Sequence, residues 1–327
     1  AADNHPDGLL HGVVATSTIA RGRVVSLDVD AAKAHPGVVE VITPENRPAL
    51  ALDPDEKHGL FGFRFEALQN DSVRYAKQPI AFVVGETLEA ATEGARLLAP
   101  EYDVEPARVG FDGGESYENE SAGVGSPPSF SVGDLEKGFA DASRRIEADY
   151  ETPAQYHNAM EPHALVAQWD GDRLIIDTPN QAIAMAQGLF ADFFGIPAEN
   201  VLLRSPFIGG GFGSKAILAG PQVLAVMAAR MLQRPVKLVL TRDQMYGPVG
   251  HRGATRQHLS LGLDGEGRLT ALEHRSRGMT STFDEFIEPA ANASQNLYAS
   301  PAIATRNLGM RADIGTPGPM RAPGGGS

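Results

Sequence analysis

The sequence contains no cysteine among its 327 residues. Disulfide bonds, thiolate zinc sites, cysteine nucleophiles and cysteine-ligated iron–sulfur clusters are therefore excluded within this chain. Positive charge is also scarce, because 28 lysines and arginines stand against 41 aspartates and glutamates, for a formal net charge of −13. Since nucleic acids and anionic membranes bind basic surfaces, this balance argues against both partners. No apolar run has the length of a membrane span, and the N-terminal AADNHPDGLLHG is not a secretory signal.

The remaining composition, 42% hydrophobic and 21% charged residues, is typical of a globular protein long enough for two domains. Residues 1–108 alternate short β-branched runs with helical ones, which predicts a compact α+β domain. Within it, Pro79–Glu86 predicts a buried strand, and Asp30 and Thr87 are the expected N-caps of two helices. Residues 109–130 are rich in glycine, serine, glutamate and proline, and they predict an exposed linker.

Residues 131–327 are expected to form a second domain of mixed helices and strands. Gln181–Gly195 predicts an amphipathic helix that ends at its glycine, and Pro221–Leu232 predicts a helix with proline in its first turn. Runs such as Ala164–Asp170 and Thr255–Leu263 predict strands.

A glycine-rich loop, Gly209–Lys215 in the stretch RSPFIGGGFGSKA, precedes the second of these helices. Clustered glycines often let backbone N–H groups approach an anion. A Walker A loop would need glycine directly before the lysine and serine or threonine after it, whereas Ser214 and Ala216 occupy those positions. The dinucleotide fingerprint G-x-G-x-x-G also fails, because these glycines only alternate. The residues alone leave a tight strand–helix turn as an equal alternative.

A second candidate lies in AQYHNAMEPHA, where His157, Glu161 and His163 could be imagined as metal ligands. Their spacing matches no recognised zinc-protease pattern, and no cysteine or further histidine is close in sequence. A hydrogen-bonded loop beside a pocket is the favoured interpretation, so we expect no metal ligand from these side chains.

Three stretches in fixed order, TPAQYHNAMEPHALVAQWDGD, SPFIGGGFGSKA and GPMRAPGG, resemble the molybdenum-binding large subunits of the xanthine dehydrogenase/aldehyde oxidase family. The segments HPGVVEVITPENRP, KQPIAFVVGETLEAATEGARLL and RPVKLVLTRDQMY are similar to that family too. The resemblance therefore covers nearly the whole chain. It implies an α+β fold, in which a hammerhead-type α/β domain (residues 1–108) is followed by the first, incomplete part of a mixed α/β molybdopterin-binding domain.

The resemblance implies a molybdenum–molybdopterin cofactor, with its cytosine dinucleotide form as an open alternative. In this family a pterin dithiolene carries the metal, so the protein need not supply thiolates, in agreement with the absence of cysteine. By matched position, backbone groups of Gly210, Gly211, Phe212 and Gly213 would line the metal and the pterin. Only backbone flanked by glycine can approach a ligand so closely.

The other matched positions imply that Gln155, the catalytic residue on this chain, hydrogen-bonds the metal's oxo group. Arg321 and Ala322 would place their backbone against the pterin from the other side. The implied reaction is hydroxylation with water-derived oxygen, in which metal coordination activates the oxygen and a carboxylate removes its proton. Electrons would leave through 2Fe-2S clusters to FAD, and partner subunits would carry both groups.

One departure from the family pattern affects activity. The family's carboxylate base is a glutamate in a Gly-Glu motif near the end of a longer subunit, and no residue up to Ser327 matches it. We therefore expect the chain to be inactive alone, either because the subunit is divided between two chains or because the sequence is a fragment. The expected partners are a chain with the catalytic glutamate, an iron–sulfur subunit and an FAD subunit. Related bacterial enzymes occur in cytoplasm and periplasm, so the compartment stays open.

Two positions narrow the substrate class. Purine-oxidising members carry glutamate directly after the lysine of the glycine motif and an arginine further on, where this sequence has Ala216 and Pro289. A buried purine would leave its polar nitrogens unpaired there. The sequence therefore favours oxidation of an aldehyde to a carboxylic acid, with an N-heteroaromatic substrate second. A non-catalytic assembly module without cofactor stays open, as does a nucleotide-binding protein, which the loop register disfavours.

Overall fold

The computed structural model describes residues 2–53, 55–59, 62–65 and 67–327. Spatial proximity divides the chain into two compact units, each built from several chain segments. Unit 1 comprises residues 1–107, 157–250 and 313–315, and unit 2 comprises residues 108–156, 251–312 and 316–327. These units group segments by contact in space, so the domain boundaries expected after residues 108 and 130 stay a prediction.

Groups of one to three strands are separated by single α-helices along the described chain. The strands are β1 (Leu10–Thr16), β2 (Gly22–Ser26), β3 (Val38–Ile42), β4 (Ser72–Val73), β5 (Pro79–Gly85), β6 (Glu101–Val104), β7 (Ser116–Tyr117), β8 (Ser129–Val132), β9 (Arg144–Thr152), β10 (Ala164–Asp170), β11 (Arg173–Asp177), β12 (Val201–Arg204), β13 (Val236–Val239), β14 (Thr255–Leu263), β15 (Leu269–Ser281) and β16 (Ile303–Ala312). The α-helices are α1 (Val29–Ala34), α2 (Leu88–Leu97), α3 (Leu135–Ala140), α4 (Ile183–Phe194), α5 (Gly220–Leu232) and α6 (Ser294–Leu297).

Unit 1 is organised around a mixed sheet with the strand order β12-β11-β10-β13-β1-β5-β3. Its central strands are mainly apolar, although β13 includes Lys237, and every residue of β5 is buried, as expected for a strand covered on both faces. Helix α5 packs on β10 and β13, and α4 packs beside β12. Their apolar residues, Phe190, Phe193, Leu224 and Met227 among them, join the sheet in one hydrophobic core. A small sheet of order β4-β2-β6 completes the unit.

Unit 2 is built on a second sheet with the order β7-β16-β15-β14-β9, in which β8 also pairs with β16. Strand β14 pairs antiparallel with both β9 and β15, whereas β15 and β16 are parallel. Helix α3 packs on β14 and β15, and α6 packs on β16. Residues 108–143, 282–302 and 316–327, which flank these strands, lie in this unit as well.

Most of the predicted elements are confirmed. The strands at Pro79–Gly85, Ala164–Asp170 and Thr255–Leu263 form as expected. Thr87 is the N-cap of α2, since its side chain accepts a hydrogen bond from the N–H of Ala90 at 3.1 Å.

Two details of the helix ends follow from local backbone geometry. Gly195 ends α4 in the left-handed conformation, as predicted, with φ of +62°. The predicted N-cap Asp30 is wrong, because α1 begins at Val29 and Asp28 caps it by accepting from the N–H of Ala31 at 2.9 Å. Asp30 instead lies in the first turn, where its charge still complements the helix dipole.

The segment expected to be an exposed linker is largely exposed, but it contains two strands. Ser116–Tyr117 pairs with β16, and β8 begins at Ser129 within the expected linker and pairs with the same strand. Backbone pairing explains why a composition without apolar periodicity still forms strands there. In the described part of the chain, none of the helices combines the length and apolar character needed to cross a membrane.

Candidate cofactor-binding segments

The glycine-rich loop of unit 1 follows β12 and precedes α5. Gly210, Phe212 and Gly213 have positive φ angles of 90°, 55° and 113°. Such a conformation is strained for phenylalanine, and side chains rarely adopt it without a functional or structural reason. A Cβ at Gly211 would lie 2.3 Å from Oε1 of Gln181, so the Gln181 side chain, which accepts from the N–H of Gly213, would have to move. The loop therefore presents backbone rather than side-chain atoms along most of its length.

The outer amides of the loop are paired and the central ones are not. The N–H of Gly209 donates to Oε2 of Glu161 at 2.8 Å, and the N–H of Gly213 donates to Oε1 of Gln181 at 3.0 Å. Among the residues that the structure describes, the N–H groups of residues 210–212 have no acceptor. Backbone amides left unpaired in a turn with alternating φ signs form a concave donor site for an anion or an oxo group.

An ion pair between the buried Lys215 and the half-buried Glu161 fixes the two ends of this loop. The ammonium of Lys215, whose side chain is fully buried, lies 2.8 Å from Oε2 of Glu161, the same atom that binds Gly209. Burial by itself would raise the pKa of the Glu161 carboxyl, but the hydrogen bonds from Lys215 and Gly209 outweigh it and hold that pKa below its usual range. Burial lowers the pKa of Lys215, and the Glu161 carboxylate opposes that shift.

A neutral histidine supports the loop from within the core. Nε2 of His163 lies 3.3 Å from the carbonyl oxygen of Ser214, which can only accept, so the neutral ring carries its proton on Nε2. Nδ1 lies 3.3 Å from the sulfur of Met245. Burial lowers the pKa of His163 to about 4. The ring is therefore uncharged at neutral pH.

Glu161 and His163, which were considered above as metal ligands, form hydrogen bonds within the protein instead. Glu161 binds Lys215 and Gly209, and His163 binds Ser214 and Met245. Within residues 2–53, 55–59, 62–65 and 67–327, no group of three or more histidine, aspartate and glutamate side chains is arranged to hold a metal ion.

Apolar side chains flank the loop on its exposed side. Phe207 and Met160 are 85% and 88% exposed, and Phe212 is 44% exposed. The N–H of Glu161 donates to the carbonyl of Gly209 at 3.0 Å, which places the segment of Met160 beside the loop. The unpaired amides thus lie next to apolar surface.

In unit 2, Gln155 is held by Arg252. The two residues form a β-bridge, with N–H to carbonyl distances of 3.1 and 2.8 Å. Nη1 of Arg252 also donates to the side-chain oxygen of Gln155 at 3.3 Å. Arg252 is only 4% exposed, and its Nε lies 3.2 Å from the buried carboxylate of Glu288.

The same arginine holds the segment that contains Arg321 and Ala322. Nη2 of Arg252 lies 2.6 Å from the carbonyl oxygen of Arg321, and 3.2 and 3.4 Å from those of Met320 and Ala322. Ala322 has a positive φ of 55°. The N–H groups of Arg321 and Ala322 have no acceptor in the described ranges. Arg252 thus brings three site residues predicted from the sequence together in unit 2, whereas the loop residues 210–213 lie in unit 1.

Sequence reasoning did not identify Arg252 or Glu288 as parts of these segments, and it did not identify Glu161 as the partner of Lys215. A lone arginine in GHRG and a lone glutamate in FIEP carry no motif. The only signal in the sequence is a charged residue beside apolar ones, which predicts burial with a partner and does not say which partner.

Comparison with known proteins supports the family resemblance that the sequence motifs indicate. Residues 117–327 match the family model described as a molybdopterin cofactor-binding domain. Residues 2–106 match the a/b hammerhead domain of aldehyde oxidase and xanthine dehydrogenase. The chain belongs to the aldehyde oxidase and xanthine dehydrogenase family.

Members of this family are similar to the chain over nearly all its length. The aldehyde oxidoreductase molybdenum-binding subunit PaoC of Escherichia coli K12 is 38% identical over 326 residues, which cover 96% of this chain and 42% of that protein. Indole-3-acetaldehyde oxidase of Zea mays is 29% identical over 98% of this chain and 24% of its own length. The crystal structure of quinoline 2-oxidoreductase from Pseudomonas putida 86 superposes with a TM-score of 0.83 and 26% identity, covering 99% of this chain and 43% of that one.

The family membership and the fold class implied by the motifs are thus confirmed. The chain spans less than half the length of the relatives that it matches.

Proposed function

We propose that this chain is the part of a molybdenum hydroxylase that binds molybdenum–molybdopterin, and that the whole enzyme oxidises aldehydes to carboxylic acids with oxygen from water. When bound, the cofactor supplies the two-electron oxidation of the substrate carbon. The observation that carries the proposal is the row of unpaired amides at residues 210–212, in a chain that belongs to this family.

The residues of the glycine loop fit the cofactor. Residues 210–212 offer N–H donors without competing protein acceptors in the described chain, and a Cβ at Gly211 would displace the Gln181 side chain that holds the loop. Glu161 and Lys215 fix the loop ends, so these donors are oriented before any ligand arrives. Preorganised donors of this kind need little rearrangement on binding.

Gln155, Arg321 and Ala322 are proposed to act through hydrogen-bond donors as well. Gln155 would donate its side-chain NH₂ to an oxo group of the cofactor, since its oxygen is taken by Arg252. The backbone N–H groups of Arg321 and Ala322 would bind the pterin. No thiolate is needed from the chain, in keeping with its lack of cysteine.

The proposed substrate is an aldehyde. Ala216 and Pro289 supply no charge for a purine, and the surface beside the loop is apolar at Met160, Phe207 and Phe212. The names of the aldehyde-oxidising relatives support this substrate class. An N-heteroaromatic substrate is the second candidate, favoured by the similarity to quinoline 2-oxidoreductase.

The proposed holoenzyme contains further polypeptide. The proton acceptor would be a glutamate on a segment or chain other than residues 1–327, and 2Fe-2S and FAD groups would lie on partner subunits. The name of the molybdenum-binding subunit PaoC, which implies other subunits in that enzyme, supports this organisation.

The test is an assay of the protein as isolated, with every chain that copurifies. We expect molybdenum and pterin in proportion to the chain, and turnover of aromatic aldehydes with an artificial acceptor at higher kcat/KM than hypoxanthine. The acid formed in ¹⁸O-labelled water should carry the label. An active preparation without molybdenum would refute the proposal, and faster turnover of quinoline than of any aldehyde would favour the second substrate class. A stable complex that contains neither metal nor pterin would favour an assembly module.

A further inference from the structure

Arg252 is an unusual residue in unit 2, because it is buried and yet reaches two separate segments. Its Nη1 contacts the side chain of Gln155, and its Nη2 contacts the carbonyl of Arg321. Glu288, 1% exposed, supplies the opposite charge through its Oε1, 3.2 Å from Nε of Arg252. The same carboxylate oxygen accepts from the N–H of Gly324 at 2.6 Å. A single ion pair therefore links three chain segments of this unit.

The contact with Gln155 decides which way the side-chain amide points. A guanidinium has donors and no acceptor, so the amide atom that faces Nη1 must be the oxygen. The NH₂ group is then turned away from Arg252, and it has no acceptor among the described residues. Without Arg252, the amide would be free to rotate by 180° and present its oxygen instead.

The contact with the second segment has the same consequence for the backbone. In a trans peptide the C=O and N–H groups point in opposite directions. Because the carbonyls of Met320 and Arg321 point towards Nη2, the N–H groups of Arg321 and Ala322 point away from it. These are the N–H groups without an acceptor in the described chain. Arg252 thus turns acceptors inward and donors outward on both segments.

We infer that Arg252 is a positioning residue, whose guanidinium orients the side-chain amide of Gln155 and the peptide groups of Met320–Ala322 as donors towards the cofactor. The inference rests on the proposed function. Lysine cannot replace arginine in this role, because one ammonium cannot reach Glu288, Gln155 and the carbonyl groups with the geometry of a planar fork.

The first test compares Arg252→Lys with the wild-type protein, isolated with all its chains. Loss of a residue that orients a metal-site ligand typically costs about 10- to 100-fold, so we expect kcat per bound molybdenum to fall by that factor while KM changes little. The EPR signal of the reduced molybdenum centre should change, and pterin should be lost faster on dialysis. Arg256→Lys, which alters a surface pair with Glu151, is the matched control and should leave all three readouts unchanged.

A double-mutant cycle separates positioning from general stability. If Arg252 acts partly through Gln155, then Arg252→Lys should lower kcat by a smaller factor in a Gln155→Ala background than in the wild type, and the remaining loss reports its contact with Met320–Ala322. Gln155→Glu covers the case in which Arg252→Lys does not fold. The new carboxylate would pair with Arg252 and leave the melting temperature unchanged. A carboxylate cannot donate a hydrogen bond to the cofactor, so kcat should fall as in Gln155→Ala.

Three results would overturn the inference. The first is a wild-type kcat and EPR signal in Arg252→Lys. The second is a double variant in which the loss of kcat equals the product of the losses in Arg252→Lys and Gln155→Ala, because the two residues would then act independently. The third is a wild-type kcat in Gln155→Glu. Absence of molybdenum from the wild-type protein would be a different failure, because it would refute the proposed function and the inference with it.

Discussion

Acidification should loosen unit 1 through His163. The ring is 2% exposed, and its pKa lies at about 4 because burial disfavours the charged form. In the unfolded chain a histidine titrates near 6.5. Between these values the unfolded state binds more protons than the folded one, so stability falls as the pH falls from 6.5 to 4. The contribution is fully present above pH 6.5.

The size of the effect follows from the two pKa values. Each pH unit in that window costs about 1.4 kcal/mol, so the step from pH 7 to pH 5 costs about 2 kcal/mol. That equals a change of roughly 25-fold in the equilibrium constant for opening. His274 of unit 2, also buried with a pKa of about 4, should act in the same way within its own unit.

Hydrogen exchange followed by mass spectrometry measures this in the intact protein, because it reports peptide by peptide. We compare how far the protection factors of peptides that contain β10 and α5 fall between pH 7 and pH 5, after correction for intrinsic exchange. The factor by which they fall should be roughly 25 times larger in the wild type than in His163→Gln. His258→Gln is the control, since its side chain is 40% exposed and lies in unit 2. An equal loss of protection in the wild type and in His163→Gln would refute this reasoning.

Two further predictions concern the glycine loop and the catalytic amide. Glu161→Gln should destabilise unit 1 by about 1–3 kcal/mol in urea unfolding, because the buried ammonium of Lys215 loses its counter-charge and keeps only a neutral acceptor. Adding Lys215→Met should restore much of that loss, and no restoration would contradict the assignment of an ion pair. Gly211→Val should reduce molybdenum and pterin to background, whereas Gln155→Ala should keep both and lose turnover, as metal analysis and steady-state kinetics would show. Gly110→Val, at a position with open space for a side chain, is the control, and full occupancy in Gly211→Val would contradict the loop assignment.

The strands and helices that the sequence predicts well are those with a clear local pattern. Ala164–Asp170 is a strand with the expected bounds, because an apolar run ends there at a turn. The predicted start of α1 is two residues late, since the sequence DVD offers two aspartates of equal capping ability. Packing decides between them, because Leu27 and Val29 lie against the small core around Ala32. Val29 therefore enters the helix and Asp28 becomes its cap.

Strands β15 and β16 show where local patterns are insufficient. Leu269–Ser281 contains several charged residues and a glycine, and its strand is stabilised by pairing with β14 on one side and β16 on the other. The register with β16 joins residues that are distant in sequence, such as Leu272 and Ile303. Pairings of this range depend on the tertiary structure, which a window of sequence does not contain.

The same limit applies to the candidate site. The glycine loop and the MRAPG segment could be found because each is contiguous and matches a family motif. Arg252 contacts Gln155 and Arg321, which lie 97 and 69 residues away in sequence. Lys215 and Glu161 are separated by 54 residues. Contacts of this kind leave no spacing rule in a single sequence.

Both candidate segments are anchored by the same arrangement of charges. In unit 1, one oxygen of Glu161 accepts from the ammonium of Lys215 and from the N–H of a loop glycine. In unit 2, one oxygen of Glu288 lies beside the guanidinium of Arg252 and accepts from the N–H of Gly324. Burying such a pair adds little net stability, because desolvation offsets most of the attraction. The pairs instead fix the direction of neighbouring peptide groups, which a cofactor bound through backbone amides requires and which apolar packing alone would leave undefined.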